Sequence, residues 1–243
     1  MATIQLTPSL QVGEPAPNST LPAVNREGTV SLADYRGKSP VLVGLFRGLY
    51  CPLCRRKIAE VGLEREKLLA LGVDPLGVIA SKLEHARLYF RYHPPRLPLA
   101  ADPAMTTLRD FSVPKPQVTS QLLQAYRSVR VDPYSELSEP VPITKLATTL
   151  NQLDGYECNE TDLAENQQQW RFDTATQLMG RFLIDRDGIV RWVDIECAKD
   201  GWPASANSPV RTSCWPQCGR FRGRCGSWSA EQFFQRRHSD GTA

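Results

Sequence analysis

Val41-Leu-Val-Gly-Leu-Phe-Arg-Gly-Leu-Tyr-Cys51-Pro-Leu-Cys54-Arg-Arg-Lys57 is the stretch on which the reading of this chain turns. Its apolar first half reads as a buried strand over residues 40–46, and its second half opens a helical pattern after Gly48. Two cysteines at this spacing, on a strand-to-helix junction, read as a redox pair. With Cys51 as the N-cap, Pro52 falls at the first helical position, where its missing N–H costs nothing. Free N–H groups and the helix dipole then favour the thiolate, the reactive form of sulfur. Arg55, Arg56 and Lys57 oppose the dipole, by about 0.3–1 kcal/mol each, so helix stability alone does not explain them. Beside two sulfurs they read as stabilisers of an anion, with Arg47 adding to the same field. The plainer reading, solvated charges beside two core cysteines, fits poorly with a pair at a junction rather than inside an apolar face.

Outward from this unit, the helix runs from about 52 to 71, with Ile58, Val61, Leu68 and Leu69 on its apolar face and Gly72 as its C-terminal cap. Residues 73–80 read as a second buried strand despite Pro75. Ser81-Lys-Leu-Glu84 is a capping-box sequence opening a helix to about Tyr92. Residues 97–101 form a short strand, and Asp102-Pro103 opens a helix ending near Phe111. Upstream, 21–24 and 29–32 pair as a hairpin around Gly28, followed by a helical turn stopped at Gly37. Downstream, Arg181 to Val193 reads as two apolar strands around Asp187-Gly188. Strand, helix, strand, helix in this order implies an α/β sheet with parallel strands.

Three segments fall outside that core. Residues 1–9 are an irregular lead-in to a domain covering 10–201. A polar insertion at about 113–177 carries helical patterns near 119–128, 143–152 and 160–170. Residues 203–243 contain no Leu and no Ile but six Arg, three Cys and two Trp, so the segment from 202 onward is expected to be a poorly ordered tail.

Composition narrows the classes. The 243 residues, 41% hydrophobic, suffice for one core, and a formal net charge of +3 is too small to argue for nucleic acid as the main partner. No apolar run approaches the roughly 20 residues that span a bilayer. Met1 to Pro8 has no basic start and no apolar centre, so the expectation is a soluble cytoplasmic protein, where disulfides are usually transient and catalytic. Seven cysteines, with no framework spacing before residue 197, favour redox chemistry over structural bridges.

Val12-Gly-Glu-Pro-Ala-Pro17, Ser31 to Lys38, Val41 to Arg56, Ala101-Asp-Pro103 and Phe182 to Ile189 together resemble the alkyl hydroperoxide reductase/thiol-specific antioxidant family, peroxiredoxin-like proteins. The resemblance implies a thioredoxin-like fold: a central mixed sheet flanked by helices, with a helical insertion before the last hairpin. It also implies reduction of peroxides or disulfides through a cysteine, no bound cofactor, and electrons from a thiol reductant such as thioredoxin or glutathione. A homodimer is the candidate assembly.

Two departures bear on chemistry. Thioredoxins carry a buried acid six residues before the first cysteine, where this chain has Leu45, and a cis-proline before the strand where this chain has Leu178-Met179-Gly180. Overlaying the peroxiredoxin pattern Pro-x-x-x-Thr-x-x-Cys puts Cys54 at the peroxide-attacking cysteine, Cys51 at the threonine and Arg47 at the proline. Position at the helix end instead makes Cys51 the thiol open to external reductant, so the two roles stay open.

Other residues carry less. Cys158 and Cys197 read as ordinary thiols before resolving ones, and Cys214, Cys218 and Cys225 are too irregularly spaced for a zinc site. His85, His93 and Arg181 are not taken as catalytic. The leading expectation is a thiol-dependent peroxidase acting through Cys51 and Cys54. A thiol–disulfide oxidoreductase is the alternative, and a non-enzymatic redox-sensing or interaction protein the second.

Overall fold

Val41–Phe46 are six consecutive buried residues, and a strand buried throughout belongs in the middle of a sheet covered on both faces. A computed structural model describes residues 9–116 and 177–196, and between them positions 120, 124, 128, 130, 131, 138–143, 145, 146 and 149. In chain order the elements are β1 (Thr20–Pro22), β2 (Thr29–Ser31), β3 (Val41–Phe46), α1 (Pro52–Leu63), α2 (Arg65–Ala70), β4 (Asp74–Ile79), α3 (Leu83–Tyr92), β5 (Leu99–Ala101), α4 (Thr106–Asp110), β6 (Arg130–Val131), β7 (Val141–Pro142), β8 (Gly180–Ile184) and β9 (Val190–Ile195).

The main sheet has five strands in the order β5-β4-β3-β8-β9. β3 runs parallel to β4, and β4 to β5, while β8 is antiparallel to both β3 and β9. This is the mixed sheet of the thioredoxin-like fold, as the sequence implied. Pro75 survives inside β4 because of register. It lies opposite Leu42 of β3, whereas pairing with β5 begins only at Gly77. Asp74 and Ala80 donate their N–H groups to β3-side carbonyls, and Gly77 donates to Pro98. Alternation therefore turns the nitrogen of Pro75 to the side where no partner strand has yet begun.

Period-two alternation splits the core. Val41, Val43 and Leu45 pack with Val78, Leu108, Phe111 and Phe182 on the face covered by the β1–β2 hairpin and α4. On the other face Phe46 packs with Ile58 and Val61 of α1 and Phe90 of α3, and Leu42 with Leu68, Leu183 and Trp192.

Local signals held in part. The predicted helix over 52–71 is two helices, broken at Glu64, whose ψ of −1° leaves the helical range. Leu68 is fully buried but Leu69 is 36% exposed, so the apolar face is narrower than expected. The helix end is as read: Gly72 has φ +75°, and the Gly72 and Val73 N–H groups reach back to Leu69 and Leu68 carbonyls at 2.9 and 3.0 Å, a Schellman closure. α3 starts at Leu83, after an N-cap Lys82 that makes no side-chain cap bond. α4 starts later than predicted, at Thr106, yet Asp102 still accepts from the Thr107 N–H at 2.7 Å and its hydroxyl at 2.6 Å. The last hairpin turns through Gly188 at φ +83°, with Asp185 Oδ1 accepting from the Asp187 and Ile189 N–H groups. Within the insertion, Ser120, Gln124, Ser128, Ile143, Lys145, Leu146 and Thr149 are helical, and β6 pairs with β7, a hairpin the sequence did not signal. The helical pattern near 160–170 and the tail lie outside the described residues. Among the described residues no helix is long and apolar enough to cross a membrane.

Candidate functional site

The loop from β3 to α1 is fixed from several directions. Gly48 has φ +142°, and a Cβ there would sit 2.8 Å from the Ala80 carbonyl oxygen. Both backbone angle and space therefore demand glycine. The Leu49 N–H donates to Ser81 Oγ at 3.0 Å. The hydroxyl read from sequence as a helix cap thus holds the site loop instead. Arg55 donates to the Leu49 carbonyl, and its guanidinium lies 5.6 Å from the centre of the Tyr89 ring. Gly48→Ala is expected to cost about 1–3 kcal/mol of unfolding free energy, measurable by urea titration; an unchanged midpoint would show that the loop relaxes freely.

Cys51 is the N-cap of α1, with extended backbone (φ −94°, ψ 107°), and Pro52 opens the helix, as predicted. The Cys51 carbonyl accepts from Cys54 and Arg55 N–H groups at 3.0 and 3.2 Å. Both thiols are free; Cys51 is partly buried and Cys54 has no exposed surface. The Cys51 thiol is lowered to about 6, chiefly by the hydrogen bond from the Cys54 thiol, which outweighs burial; the charge of Arg47 and the Cys54 N–H add to it, and Glu196 opposes it. Cys54 moves the other way. Burial raises it most, and its bond to the neighbouring Cys51 thiolate, together with that charge, raises it further. One cysteine, partly exposed, therefore carries a thiolate near neutral pH, and the other stays a fully buried thiol beside it.

The cation whose charge acts on both sulfurs is Arg47. It is 4% exposed and donates to Glu196 Oε1 at 3.0 Å and to the Gln177 carbonyl at 3.3 Å. Burial alone would lower its pKa, but attraction to Cys51, Glu196 and Cys54 holds it well above the ordinary value. The other oxygen of Glu196 accepts from the Met179 N–H at 3.2 Å, and Met179 Sδ lies 3.3 Å from Cys54 Sγ. A thioether thus stands against the buried thiol in the segment before β8, and there is no cis peptide bond among the described residues.

Of the three cations expected to share the task, Arg56 is partly exposed and the other two divide. Arg55 is buried and turned to Leu49 and Tyr89. Lys57 is lowered by burial first and by repulsion from Arg181 second, while Glu60, Glu196 and Cys54 oppose the shift. Arg181 is tied to Asp194 at 2.5 Å and stacks 5.7 Å from the Trp192 ring centre. His85 and His93 are exposed, the latter stacked on Tyr89 at 4.4 Å. Cys158, Cys197, Cys214, Cys218 and Cys225 lie outside the described residues. No group of metal-ligating side chains occurs among the described residues. Sequence reasoning missed Glu196, Met179, Gln177 and the loop contact of Ser81. The one sequence signal for Glu196 was an acid directly following an apolar hairpin strand.

A dithiol at the N-terminus of the helix after β3, on this sheet, defines a thioredoxin-fold protein of thiol redox function. The chain belongs to the AhpC/TSA family, whose model matches residues 12–193. No curated protein sequence matches it. Among solved structures it is similar to peroxidoxin BcpB of Mycobacterium tuberculosis, with 12% identity, 90% of this chain and 99% of that one covered, and a TM-score of 0.50. It is also similar to a 2-Cys peroxiredoxin of Plasmodium vivax, in reduced form, at 15% identity, 79% and 75% coverage and TM-score 0.47. A third is a Chlorobium tepidum protein assigned as the thiol:disulfide interchange protein DsbE, at 20% identity, 82% and 92% coverage and TM-score 0.44.

Proposed function

We propose that this protein is a thiol-dependent peroxidase that reduces hydrogen peroxide or organic hydroperoxides through Cys51 and Cys54, drawing electrons from an external thiol in a reducing compartment such as the cytoplasm. The observation that carries the reading is a partly exposed thiol lowered to about 6, backed by a buried thiol donating to it. Family membership favours peroxide over other oxidants. Of the two assignments left open by sequence, the geometry favours Cys51 as the attacking sulfur, because thiolate character and access both belong to it.

The chemistry then runs in three steps. The Cys51 thiolate attacks one peroxide oxygen; the S–O bond forms, the O–O bond breaks, and the departing alkoxide or hydroxide takes up a proton. Cys51 is then a sulfenic acid. With the thiolate charge gone, two of the three largest influences raising Cys54 vanish. Cys54 loses its proton and attacks the Cys51 sulfur, forming the disulfide and releasing water. Two external thiols restore the pair, the first attacking the more exposed Cys51 sulfur and expelling Cys54.

The second reading, a thiol–disulfide oxidoreductase, is favoured by one observation: a partly exposed first cysteine and a buried second one at a helix N-terminus suit attack on a protein disulfide equally well. Sulfenic acid trapping after one equivalent of peroxide separates the two. Cys54→Ser is expected to accumulate sulfenic acid at Cys51, and Cys51→Ser to accumulate none. Reduction of insulin disulfides with no consumption of peroxide would select the second reading.

A further inference from the structure

We infer that Glu196 is a positioning residue for the cysteine pair, a single carboxylate that holds Arg47 against Cys51 and Met179 against Cys54. Its two oxygens are used separately. Oε1 accepts from Arg47 Nη2 at 3.0 Å and Oε2 from the Met179 N–H at 3.2 Å, while the Glu196 N–H donates to the Met179 carbonyl at 3.0 Å. The Arg47 and Glu196 side chains are 5% and 8% exposed. Three chain segments meet on this one side chain: the end of β3, the lead into β8 and the end of β9.

Its charge by itself works against the thiolate. Glu196 is one of the groups that oppose ionisation of Cys51, whereas Arg47 favours it. Keeping a buried carboxylate beside a required thiolate makes sense only if its hold on Arg47 outweighs its own repulsion. Arg47 needs such a hold, because among the described residues its other hydrogen bond is to the Gln177 carbonyl, at 3.3 Å. On the other side, Met179 Sδ closes the space beside Cys54 Sγ at 3.3 Å. The Cys54 proton has two candidate acceptors there, thioether and thiolate, and the charged one wins. The other ionisable groups facing this cluster are Tyr50, beside Arg47, and Lys57 of α1, which itself faces Arg181 of β8.

This inference rests on the reading of Cys51 as the reactive thiolate, and not on peroxide as substrate. Its test is the pH profile of Cys51 alkylation by iodoacetamide, followed peptide by peptide by mass spectrometry on the full chain. Glu196→Gln removes the charge; its amide cannot accept from both Arg47 and Met179, since its nitrogen meets a donor. Glu196→Asp keeps the charge but is shorter by one carbon–carbon bond, about 1.5 Å, and cannot span both partners. Both variants are expected to move the Cys51 midpoint up by about one unit, so that alkylation at pH 6 falls roughly fivefold. A role through charge alone gives a different pattern: the midpoint falls in Glu196→Gln and stays in place in Glu196→Asp. Either result overturns the inference. Should Glu196→Gln fail to fold, Glu196→Asp, which keeps a carboxylate in the buried site, decides alone. A shifted profile in a protein without peroxide turnover would keep this inference and reject the peroxidase; turnover with an unshifted profile would do the reverse.

Discussion

Replacing Arg47 with methionine is expected to lower the unfolding free energy by about 3–5 kcal/mol, the cost of stranding one member of a buried ion pair. Methionine fills much of the arginine's volume, so packing loss is the smaller part. The stranded group is Glu196, whose side chain is 8% exposed and keeps, among the described residues, the Met179 N–H as its donor. Cys51 loses its counter-ion as well. A thiol lowered by folding contributes stability that is full above its unfolded value and is lost as pH falls through its folded value, here about 6. The deficit of Arg47→Met should therefore grow as pH rises through 6, because only the thiolate misses the guanidinium. Urea unfolding of both proteins under reductant at pH 5 and pH 8 measures this. The double variant Arg47→Met, Glu196→Met should recover most of the loss, since a buried pair replaced whole by apolar groups is close to neutral. A single-variant deficit below about 1 kcal/mol at both pH values would mean that water reaches Glu196 and that the pair matters little.

The parts of the site legible in the sequence are those determined within a few residues. Cys51 as N-cap and Pro52 in the first turn follow from helix-start chemistry, and the buried strand before them follows from six apolar residues in a row. Side-chain direction was less legible. Arg55 stands next to Cys54 in sequence, but one residue of helix rotates it by about 100°, and it turns toward Tyr89 and the Leu49 carbonyl. Ser81 carried a capping signature, yet its hydroxyl serves the Leu49 N–H, because β4 ends beside the site loop and the loop offers that donor there. Glu196 and Met179 reach the site from 149 and 125 residues away, respectively from Arg47 and Cys54. Their arrival depends on the order β3-β8-β9, which brings the last hairpin against the strand that delivers the cysteines. Leu45, where an acid was missing from the expected pattern, is core; the buried carboxylate of this site comes from another strand's end. Nothing local to residue 196 states that.

Cys54→Ala should change the reactivity of Cys51 in opposite directions at the two ends of the pH scale. The hydrogen bond from Cys54 is the largest influence lowering Cys51, so its removal sends the thiol upward; burial then acts against the thiolate and Arg47 for it. Suppose the midpoint moves from about 6 to about 8. At pH 5.5 the thiolate fraction then drops by about 75-fold. A thiolate of higher pKa is also a better nucleophile, with a Brønsted slope of about 0.4–0.5, so each remaining thiolate reacts about eightfold faster. Ionisation wins in acid, and alkylation at pH 5.5 should slow by roughly tenfold. At pH 9 both proteins are almost fully ionised, and only the nucleophilicity difference survives: the variant should react several times faster than the parent. The two profiles must therefore cross. Cys54→Ser, whose hydroxyl can still donate, should fall between them at both ends. Parallel profiles would show that the bond between the two sulfurs does not control Cys51. A slower variant at every pH would show that Cys54 acts by holding the loop rather than by supplying a proton. Where the profiles cross, the peroxide step is separable from resolution: single-turnover sulfenic acid formation continues in Cys54→Ala, slowed in acid, while disulfide formation between residues 51 and 54 is lost altogether.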